Sequence, residues 1–481
     1  MTLRDPAADP AARRRLMSVL FVAVFMSALD TAVVGPTLPA LRDTFGVDHR
    51  AVALVTSVYV LCSLTATALL ASLSDRRGRR PVFLASVAIF AVGSLLVAVS
   101  PGFWWLVAAR AIQGVGAGGI TPTASAIVGD VFPAAERGKA LGLIGATFGM
   151  AFVFGPPLAA GVMTVATWPW IFLVTLPIAV FVMARAARAM PAHEVPHDAR
   201  PLDLAGLGLT FATLVMLTLG ITRLADDLAG RRLWPLALAA AAVSAVTLVR
   251  VETRAAAPLL PPALFANRQL AVTYAVTIGA GFGMGAVTFL ASLAAMAYGM
   301  SPRAAGFMLL PLVVASMVGA AGGGRLMNAV GPRHLLLGGF ALLGAGYAAM
   351  AASGLGRWVF LAASLPIGLG VGVVVGGSLR SIAIDEAPPA MRTVAQGVIN
   401  IATAIGTLIA ASVVSAVADF AGGGADGFAT AYAAVAGLMM LAWVGTLALK
   451  PRVITAPPHE APPETGPGFG STGRYSRNHG P

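Results

Sequence analysis

The chain has 481 residues, of which 58% are hydrophobic and only 11% are charged, and its formal net charge is +12. Soluble domains carry about 25% charged residues, so the composition excludes an ordinary soluble domain and indicates a membrane protein. Basic proteins often bind nucleic acid, but here the arginines lie in short clusters between long apolar runs, which argues against nucleic-acid binding. The single cysteine, Cys62, excludes an intrachain disulfide.

The apolar runs predict an all-α membrane protein with 14 transmembrane helices, because each run approaches the roughly 20 residues that a span requires. Basic residues precede the first run, as they would in a signal peptide, but the run is long and lacks a convincing small-residue cleavage site. We therefore expect an uncleaved first helix. The predicted spans are residues 16–38, 51–72, 82–100, 103–128, 139–163, 170–190, 203–222, 233–250, 269–292, 304–324, 335–354, 358–380, 394–418 and 429–449.

The distribution of basic residues predicts the orientation of these spans. With Arg110 left out, because it lies inside a span, one face of the predicted bundle holds seven Lys and Arg residues and the other holds 24 of the 32. Since cytoplasmic loops attract Lys and Arg, we expect a multi-pass membrane protein with both termini in the cytoplasm. The seven residues are Arg42, Arg50, Arg223, Arg231, Arg232, Arg303 and Arg357.

Asp30, in the first predicted span, is the only acid that lies well inside a span. A charged side chain costs about 2.5–3.5 kcal/mol at a helix centre, so its presence needs a reason. Burial disfavours the charged carboxylate, which would let Asp30 bind and release a proton near neutral pH. The alternative is an N-cap-like or helix–helix hydrogen-bonding role, since Thr31 follows and Gly35 and Pro36 break the helix nearby.

A cluster of charged residues follows the second predicted span at residues 75–80. Arginines directly after a span would hold this loop in the cytoplasm, and Gly78 would allow a tight turn. We further expect a latch, in which Asp75 pairs with a local arginine such as Arg79 and also caps a helix N-terminus in the other half of the molecule. The cluster consists of Asp75, Arg76, Arg77, Gly78, Arg79 and Arg80.

The fourth predicted span contains Arg110, the only base that lies deep inside a span by this assignment. Because arginine keeps its proton in proteins, Arg110 would act either as a fixed charge that tunes a neighbouring carboxylate or as a clamp for backbone carbonyls. The fifth span contains "GATFGMAFVFGPPLAAG", residues 145–161. Its small residues allow close helix packing and its prolines bend the helix, so packing is the simpler interpretation of this stretch.

The chain also contains an internal repeat. "ASLSDRRGRR" resembles "GRLMNAVGPR" at an offset of 253, "GVGAGG" resembles the glycine run from Gly368 at 254, and "FPAAERGKALGL" resembles "APPAMRTVAQGV" at 255. These matches predict two parallel six-helix halves. The expected organisation is a cytosolic tail (1–15), a six-helix bundle (16–190), an inserted helix pair with cytosolic connectors (191–267), a second six-helix bundle (268–449) and a disordered cytosolic tail (450–481).

The two halves differ at the charged positions. Asp30 and Arg110 correspond to Met284 and Ser364, so the repeat itself requires neither of these intramembrane charges. Asp75 likewise corresponds to Asn328. The charges that occur in one half alone are therefore the candidates for function rather than for architecture.

Taken together, these stretches resemble the major facilitator superfamily, and specifically its fourteen-spanner drug:proton antiporters, over nearly the whole chain apart from the tails. "LDTAVV", which contains Asp30, is similar to the first-helix motif of that group, and "VETRAAAPLLPPALF" closely resembles its connector after the inserted pair. The resemblance implies proton coupling through Asp30 and Arg110 and a cytoplasmic gate at residues 75–80. Further residues implied by the resemblance are Gln113, Gly114 and Gly116 in the fourth-helix motif and Gly149, Gly155, Pro156 and Gly161 in the antiporter motif of the fifth helix.

The chain departs from that family pattern at several positions. Ala159 and Ala160 stand where the antiporter motif normally ends in a glycine pair, and Pro169 stands where an arginine is usual. These departures weaken the assignment to a broad drug exporter and leave room for a narrower substrate or an impaired coupling route.

The expected function is proton-coupled antiport, which would export lipophilic small molecules, cationic or neutral, by alternating access. The partners would be the substrate, protons and the lipid bilayer, and the chain would act as a monomer without cofactor or metal. An enzyme is not expected, because the sequence has no nucleophile–base constellation and no GxxxxGK[ST] stretch. Two alternatives stay open: a dedicated exporter of one endogenous metabolite, lipid or self-made antibiotic, and a non-transporting membrane scaffold or sensor.

Overall fold

The computed structural model describes residues 9–190, 203–226, 234–255, 258–352 and 356–451, and their regular secondary structure is helical, as the sequence predicts. The predicted C-terminal tail lies outside these residues beyond residue 451. The α-helices are α1 (Pro10–Phe45), α2 (His49–Arg77), α3 (Arg79–Ala98), α4 (Phe103–Val131), α5 (Ala134–Val165), α6 (Pro169–Leu173), α7 (Thr175–Ala189), α8 (Leu204–Asp226), α9 (Trp234–Glu252), α10 (Pro262–Ala266), α11 (Arg268–Ala286), α12 (Leu290–Tyr298), α13 (Pro302–Phe307), α14 (Leu310–Val330), α15 (Pro332–Met350), α16 (Arg357–Val373), α17 (Leu379–Glu386), α18 (Arg392–Phe420) and α19 (Gly424–Leu447).

In the described residues, 12 helical segments are long and apolar enough to cross a membrane. The predicted count of fourteen spans is therefore not supported by this criterion, and the difference lies in α4 and α15. Helix α4 carries Arg110, Gln113 and several glycines, and α15 begins with Arg333 and His334. These residues lower the mean hydropathy of helices whose lengths would still suffice for a span.

Several helices extend further than the sequence predicts. Helix α1 begins at Pro10, inside the predicted N-terminal tail, because the Asp9 side chain accepts a hydrogen bond from the Ala11 N–H at 2.8 Å and caps the helix. Helices α2 and α17 continue to Arg77 and Glu386, beyond the predicted span ends at 72 and 380. The apolar runs mark where each segment is hydrophobic, whereas a helix also continues through Asp and Arg.

The turns after α2 and α14 show the internal repeat in the backbone. Gly78 has φ +100° and Gly331 has φ +82°, a region that L side chains rarely adopt. Each glycine ends one helix and directly precedes the next, α3 and α15 respectively. The sequence match between Gly78 and Gly331 therefore corresponds to one turn conformation that occurs once in each half.

Contacts between the two halves concentrate at one end of the bundle. We name this end the arginine face, defined by residues 74–80, 129–137, 328–332 and 385–394. The halves also pack close to this face through glycines on α5: a Cβ on Gly142 would lie 2.8 Å from the Gly324 Cα of α14, and a Cβ on Gly145 would overlap the Gly376 backbone. Gly376 belongs to a π turn, Val374–Ser378, that joins α16 to α17. The bundle is thus closed at the arginine face.

The inserted pair, α8 and α9, packs against both halves. Its two helices are joined by a hydrogen bond from the Thr213 hydroxyl to Ser244 Oγ at 2.9 Å. Helix α8 contacts α2 and α18, and the Ser412 hydroxyl of α18 donates to the Ile221 carbonyl at 2.8 Å. Helix α9 exposes large apolar side chains such as Val243, which suits a surface against lipid. The predicted connector at 191–202 lies outside the described residues.

Candidate transport site

A buried ion pair lies inside the N-terminal half. The Arg110 guanidinium of α4 donates to Asp30 Oδ2 of α1 at 2.8 Å, and the two side chains are 1% and 0% exposed. The Gln113 amide donates to Asp30 Oδ1 at 2.8 Å and to the Ser94 hydroxyl at 2.7 Å. Both carboxylate oxygens of Asp30 therefore have a donor. The structure brings together three residues that the sequence singles out, and it adds Ser94 of α3.

The rest of the Arg110 side chain is also held in place. Its Nε donates to the Val55 carbonyl of α2 at 3.3 Å, and its guanidinium carbon lies 4.0 Å from the centroid of the Tyr59 ring. A guanidinium over an aromatic face gains a cation–π attraction. Both roles left open by the sequence, a charge beside a carboxylate and a clamp on a carbonyl, are thus present in the geometry.

Glycines bring α4 close enough to its neighbours to form this cluster. A Cβ on Gly114 would overlap the Tyr59 carbonyl of α2, and a Cβ on Gly116 would lie 2.7 Å from the Phe90 Cα of α3. A Cβ on Gly93 would lie 2.5 Å from the Gln113 Cα. These positions explain the fourth-helix glycines by close backbone approach, which fixes Arg110 and Gln113 between α2 and α3.

The antiporter-motif residues of α5 lie in different surroundings. A Cβ on Gly149 would lie 3.0 Å from Met317 of α14, and one on Gly155 would lie 2.6 Å from the Ala32 Cβ of α1. Pro156 lies inside α5 after Gly155. Gly161 has no atom within 4 Å of its ideal Cβ. Helix α5 therefore contacts the other half through Gly149 and the helix that carries Asp30 through Gly155, whereas Gly161 makes no close approach.

At the arginine face, Asp75 has the contacts that the latch hypothesis requires. Its carboxylate accepts a hydrogen bond from Arg79, and it also accepts from the Thr393 N–H at 3.1 Å and from the Val394 N–H at 3.0 Å. Thr393 and Val394 lie in the first turn of α18, where backbone N–H groups lack helical partners. A carboxylate of one half thus caps a helix of the other. Asp75 is buried within α2 rather than in a loop.

Asp130 and Arg392, which sequence reasoning missed, complete this cluster. Arg79 Nε donates to Asp130 Oδ2 at 3.1 Å, and Arg392 donates to Asp130 Oδ1 at 2.8 Å, so one carboxylate joins an arginine from each half. Arg79 also donates to the Pro389 carbonyl of the other half at 2.9 Å. A sequence signal existed for Arg392, because the internal repeat matches it to Arg137.

The remaining arginines of the 75–80 cluster lie nearby. Arg76 is half-buried at the end of α2. Arg80 donates to the Ala187 carbonyl of α7 at 2.5 Å, a contact within its own half. In the second repeat, the Asn328 amide donates to the Ala135 carbonyl of α5. Both repeats therefore reach a helix start of the opposite half, Asp75 as an acceptor and Asn328 as a donor.

The position of Arg380 contradicts the expectation that Arg110 is the only deeply embedded base. Arg380 is 5% exposed, and it lies six residues before the end of α17 because that helix continues to Glu386. Its guanidinium donates to Asn400 Oδ1 at 2.7 Å and lies 3.5 Å from Gln396 Oε1. No carboxylate is within ion-pair distance of Arg380 among residues 9–190, 203–226, 234–255, 258–352 and 356–451, and its Nε has no hydrogen-bond partner there.

A family comparison decides what kind of bundle holds these clusters. The family model described as Major Facilitator Superfamily matches residues 20–411, which is most of the chain. The chain belongs to the major facilitator superfamily. It is a multi-pass, all-helical membrane protein of a transporter family, as the resemblance of its motifs implies. In the described residues of this superfamily member, no group of three or more His, Cys, Asp and Glu side chains could hold a metal ion.

Relatives of this superfamily member include proteins named for drug transport and resistance. It is 30% identical over 484 residues to the lincomycin resistance protein of Streptomyces lincolnensis, covering 95% of this chain and 96% of that protein. It is 28% identical to the multidrug transporter protein MdtP of Bacillus subtilis, covering 78% and 69%. The crystal structure of the human organic anion transporter MFSD10 matches with a TM-score of 0.68 at 19% identity, covering 91% and 100%, which is a likeness of fold.

Removing Arg110 tests the energetics of the buried pair. Arg110→Met leaves the Asp30 carboxylate buried without its cation, and we expect the free energy of unfolding to fall by about 3–5 kcal/mol. The measurement is denaturant or thermal unfolding of the purified protein in detergent. The double variant Asp30→Asn with Arg110→Met removes both charges and should be more stable than Arg110→Met alone. Equal stability of Arg110→Met and the unsubstituted protein would show that the pair contributes no net stability.

Proposed function

We propose that the chain is a proton-coupled antiporter that exports lipophilic small molecules by alternating access, as a member of the fourteen-spanner drug:proton antiporter group. The observation that carries this proposal is the buried Asp30–Arg110 pair. It lies inside the bundle of a chain that belongs to a transporter family. The relatives named for multidrug transport and lincomycin resistance support the same class of activity.

Proton coupling follows from the charge balance of the cluster. When Asp30 is ionised, its charge neutralises Arg110 across 2.8 Å. A proton on Asp30 removes that attraction and leaves a buried guanidinium charge, which favours a different arrangement of α1 and α4. One proton moving through the membrane potential supplies about 2.3 kcal/mol per 100 mV. Proton entry on the side opposite the arginine face and release at the arginine face would drive export.

The arginine face is the gate in this proposal. The hydrogen bonds that join the two halves lie at this face, within the described residues. Breaking them would open the molecule toward the arginine face, and forming them again would close it. The excess of Lys and Arg in its loops supports a cytoplasmic position of this face in a bacterial inner membrane, with both termini inside.

The proposed topology has 14 spans, with α4 and α15 added to the 12 apolar segments. Both added helices pack side by side with candidate spans, α4 with α2 and α3 and α15 with α16 and α19. Helix α4 also buries Arg110 and Gln113. A helix that is surrounded by other helices needs less lipid-facing apolar surface than a helix at the periphery. This accounts for the lower hydropathy of the two added helices. We propose a monomer that needs no cofactor and binds no nucleic acid.

The shallow groove between α14 and α16 faces the surroundings of the bundle. Its lining residues Val314 and Val318 are 53% and 58% exposed, so this apolar surface suits contact with lipid. The proposal of a lipophilic substrate rests instead on the composition of the chain, which is 58% hydrophobic and only 11% charged.

The test is transport by the purified full-length chain in proteoliposomes. With a proton gradient imposed, a fluorescent lipophilic probe should move against its own gradient, and protons should move in the opposite direction. The control is the same liposomes with the gradient collapsed by a protonophore. Probe movement that does not respond to the gradient would contradict proton coupling, and the absence of movement across a screen of lipophilic probes would contradict the export function.

The latch has its own prediction. Asp75→Asn removes the negative charge at the start of α18 and weakens the ion pair with Arg79, which should cost the closed state about 1–2 kcal/mol. We expect normal protein levels and a transport rate lowered by about tenfold. The matched control is Asp426→Asn, an exposed acid in the first turn of α19. Normal levels of Asp75→Asn with normal transport would rule out the latch.

A further inference from the structure

We propose that Arg380 binds an anionic group, a carboxylate or a phosphate, of the molecule that the protein transports. This inference rests on the proposed export function and names a substrate class for it. Three arginines are buried in the described residues, Arg13, Arg110 and Arg380, and they differ in whether a carboxylate neutralises them. Arg13 pairs with Glu136 at 3.1 Å. Arg110 is neutralised by Asp30 at 2.8 Å, whereas in the described residues the partners of Arg380 are the neutral amides of Gln396 and Asn400.

The guanidinium of Arg380 is oriented but not satisfied. The Gln396 amide donates back to the Arg380 carbonyl at 2.9 Å, which fixes Gln396, and Asn400 holds one end of the guanidinium at 2.7 Å. The Nε hydrogen is buried without an acceptor in the part of the chain that the structure describes. A buried donor without a partner is uncommon, and a planar guanidinium fits a carboxylate or a phosphate through two parallel hydrogen bonds.

The position of Arg380 lies just inside the gate. Helix α18 contacts Asp75 through its first turn at Thr393, and it packs on α2 at Gly397, whose ideal Cβ is 3.2 Å from Thr67. Asn400, one helical turn further, is half-buried. Since a helix rises 1.5 Å per residue, Asn400 lies about 10 Å along α18 from Thr393. Asn400, which holds one end of the guanidinium, is therefore the first polar side chain of α18 after Gly397.

A second unsatisfied polar group lies at the same level in the opposite half. The Ser125 hydroxyl of α4 is buried without a partner in the described chain. An ideal Cβ on Gly129 of α4 would contact Ile384 of α17. Ser125 lies one turn before Gly129, and Arg380 lies one turn before Ile384. A buried hydroxyl and a buried guanidinium, both with unused hydrogens, thus lie one helical turn from the contact between Gly129 and Ile384. An anion that enters when the gate opens would satisfy both.

The internal repeat argues that Arg380 is not an architectural residue. The π turn at Val374–Ser378 adds one residue to the second half, so the offset of 255 that matches Pro388 to Pro133 applies to Arg380, whose counterpart is Ser125. The fold therefore accommodates a small side chain at the equivalent position. An uncompensated positive charge near the gate attracts anions and repels cations, so Arg380 favours lipophilic anions over the cationic or neutral compounds that the sequence favours.

The test measures binding and transport with two dyes on the same xanthene ring, the anion fluorescein and a cationic rhodamine ester. Binding to the purified full-length chain in detergent is measured by fluorescence anisotropy. We expect Arg380→Gln to raise the Kd of fluorescein by about tenfold or more and to leave or improve rhodamine binding. Arg380→Lys, which keeps the charge without the planar fork, should lie between the two. The matched control is Arg250→Gln, an exposed arginine in the last turn of α9.

The outcomes separate this inference from the proposed function. Equal fluorescein affinity of the unsubstituted chain, Arg380→Gln and Arg380→Lys would overturn the anion site, even if proteoliposomes export the rhodamine under a proton gradient. Loss of fluorescein binding in Arg380→Gln, with binding retained in Arg250→Gln, would support the site, even if neither dye is transported. Phosphatidylglycerol added to the micelles distinguishes the source of the anion, because competition with fluorescein would assign it to a lipid headgroup. Asn400→Leu keeps Arg380 and removes one of its hydrogen-bond partners, so it tests the site even if the arginine variants fail to fold. It should also weaken fluorescein binding.

Discussion

Asp30→Asn is expected to abolish proton-driven accumulation while it preserves the fold. For a neutral probe exchanged for one proton, a potential of 100 mV supports a concentration ratio of about fiftyfold, because it supplies about 2.3 kcal/mol. Asparagine cannot exchange a proton, so the ratio should fall to about one. The amide oxygen can still accept a hydrogen bond from Arg110, which now lies 2.8 Å from the carboxylate. The measurement is steady-state probe accumulation in proteoliposomes.

The matched control for Asp30→Asn lies on the same helix. Asp43 is an exposed acid near the end of α1, with 69% of its side chain accessible, and its ion pair with Arg42 lies at the surface. Asp43→Asn makes the same chemical change without touching the buried cluster, so accumulation should stay near that of the unsubstituted chain. If Asp30→Asn still accumulates the probe to the same ratio, Asp30 is not the proton carrier. Downhill exchange by Asp30→Asn would show that coupling, rather than folding, is lost.

The intramembrane pair could be predicted in part from the sequence. Asp30 and Arg110 are conspicuous because charges are expensive inside apolar runs, and their absence from the second half marks them as functional candidates. Their pairing could not be derived, because the two residues are 80 positions apart and meet only when α1 packs on α4. Ser94 carried no signal at all, since a serine in a span is common.

At the arginine face, the sequence predicts some contacts but misses residues at the ends of helices. The tight turn at Gly78 and the pairing of Asp75 with a helix of the other half follow from the repeat and from the chemistry of helix N-termini. Asp130 was missed because the predicted fourth span stops at residue 128, two residues before it. Arg380 was missed for the same reason, because hydropathy ended the span at that residue, whereas the helix continues to Glu386. Apolar runs define the membrane segment but not the end of the helix.

Helix α5 provides a physical link between the arginine face and the buried pair. Its first half packs on α14 and on the π turn through Gly142 and Gly145, close to the arginine face. Further along, Gly155 approaches Ala32 of α1, two residues from Asp30. Packed helices switch between discrete arrangements rather than deform continuously. A change of charge at Asp30 that repositions α1 can therefore move α5 and release its contact with the other half.

Gly145→Val is accordingly expected to hold the molecule open at the arginine face. A Cβ at residue 145 would overlap the Gly376 backbone, and overpacking of this kind costs about 1–3 kcal/mol. That cost falls on the closed arrangement alone, so the closed population should drop by about tenfold or more. Export should slow by about the same factor, because closure at this face is a required step of alternating access. Gly145→Ala should give a smaller effect in the same direction.

Thiol labelling measures this shift directly. In a Cys62→Ser background, which removes the single cysteine of the chain, Ser74→Cys places a thiol at a fully buried position 3.5 Å from the Thr393 hydroxyl of the other half. A membrane-impermeant maleimide should label this thiol slowly when residue 145 is glycine and about tenfold faster when it is valine. The matched control is Gly437→Val on α19, where an ideal Cβ has no atom within 4 Å. Unchanged labelling in a folded Gly145→Val protein would show that closure does not depend on the α5 contact. The proposed link from Asp30 to the arginine face would then have to run through α2 and α4 instead.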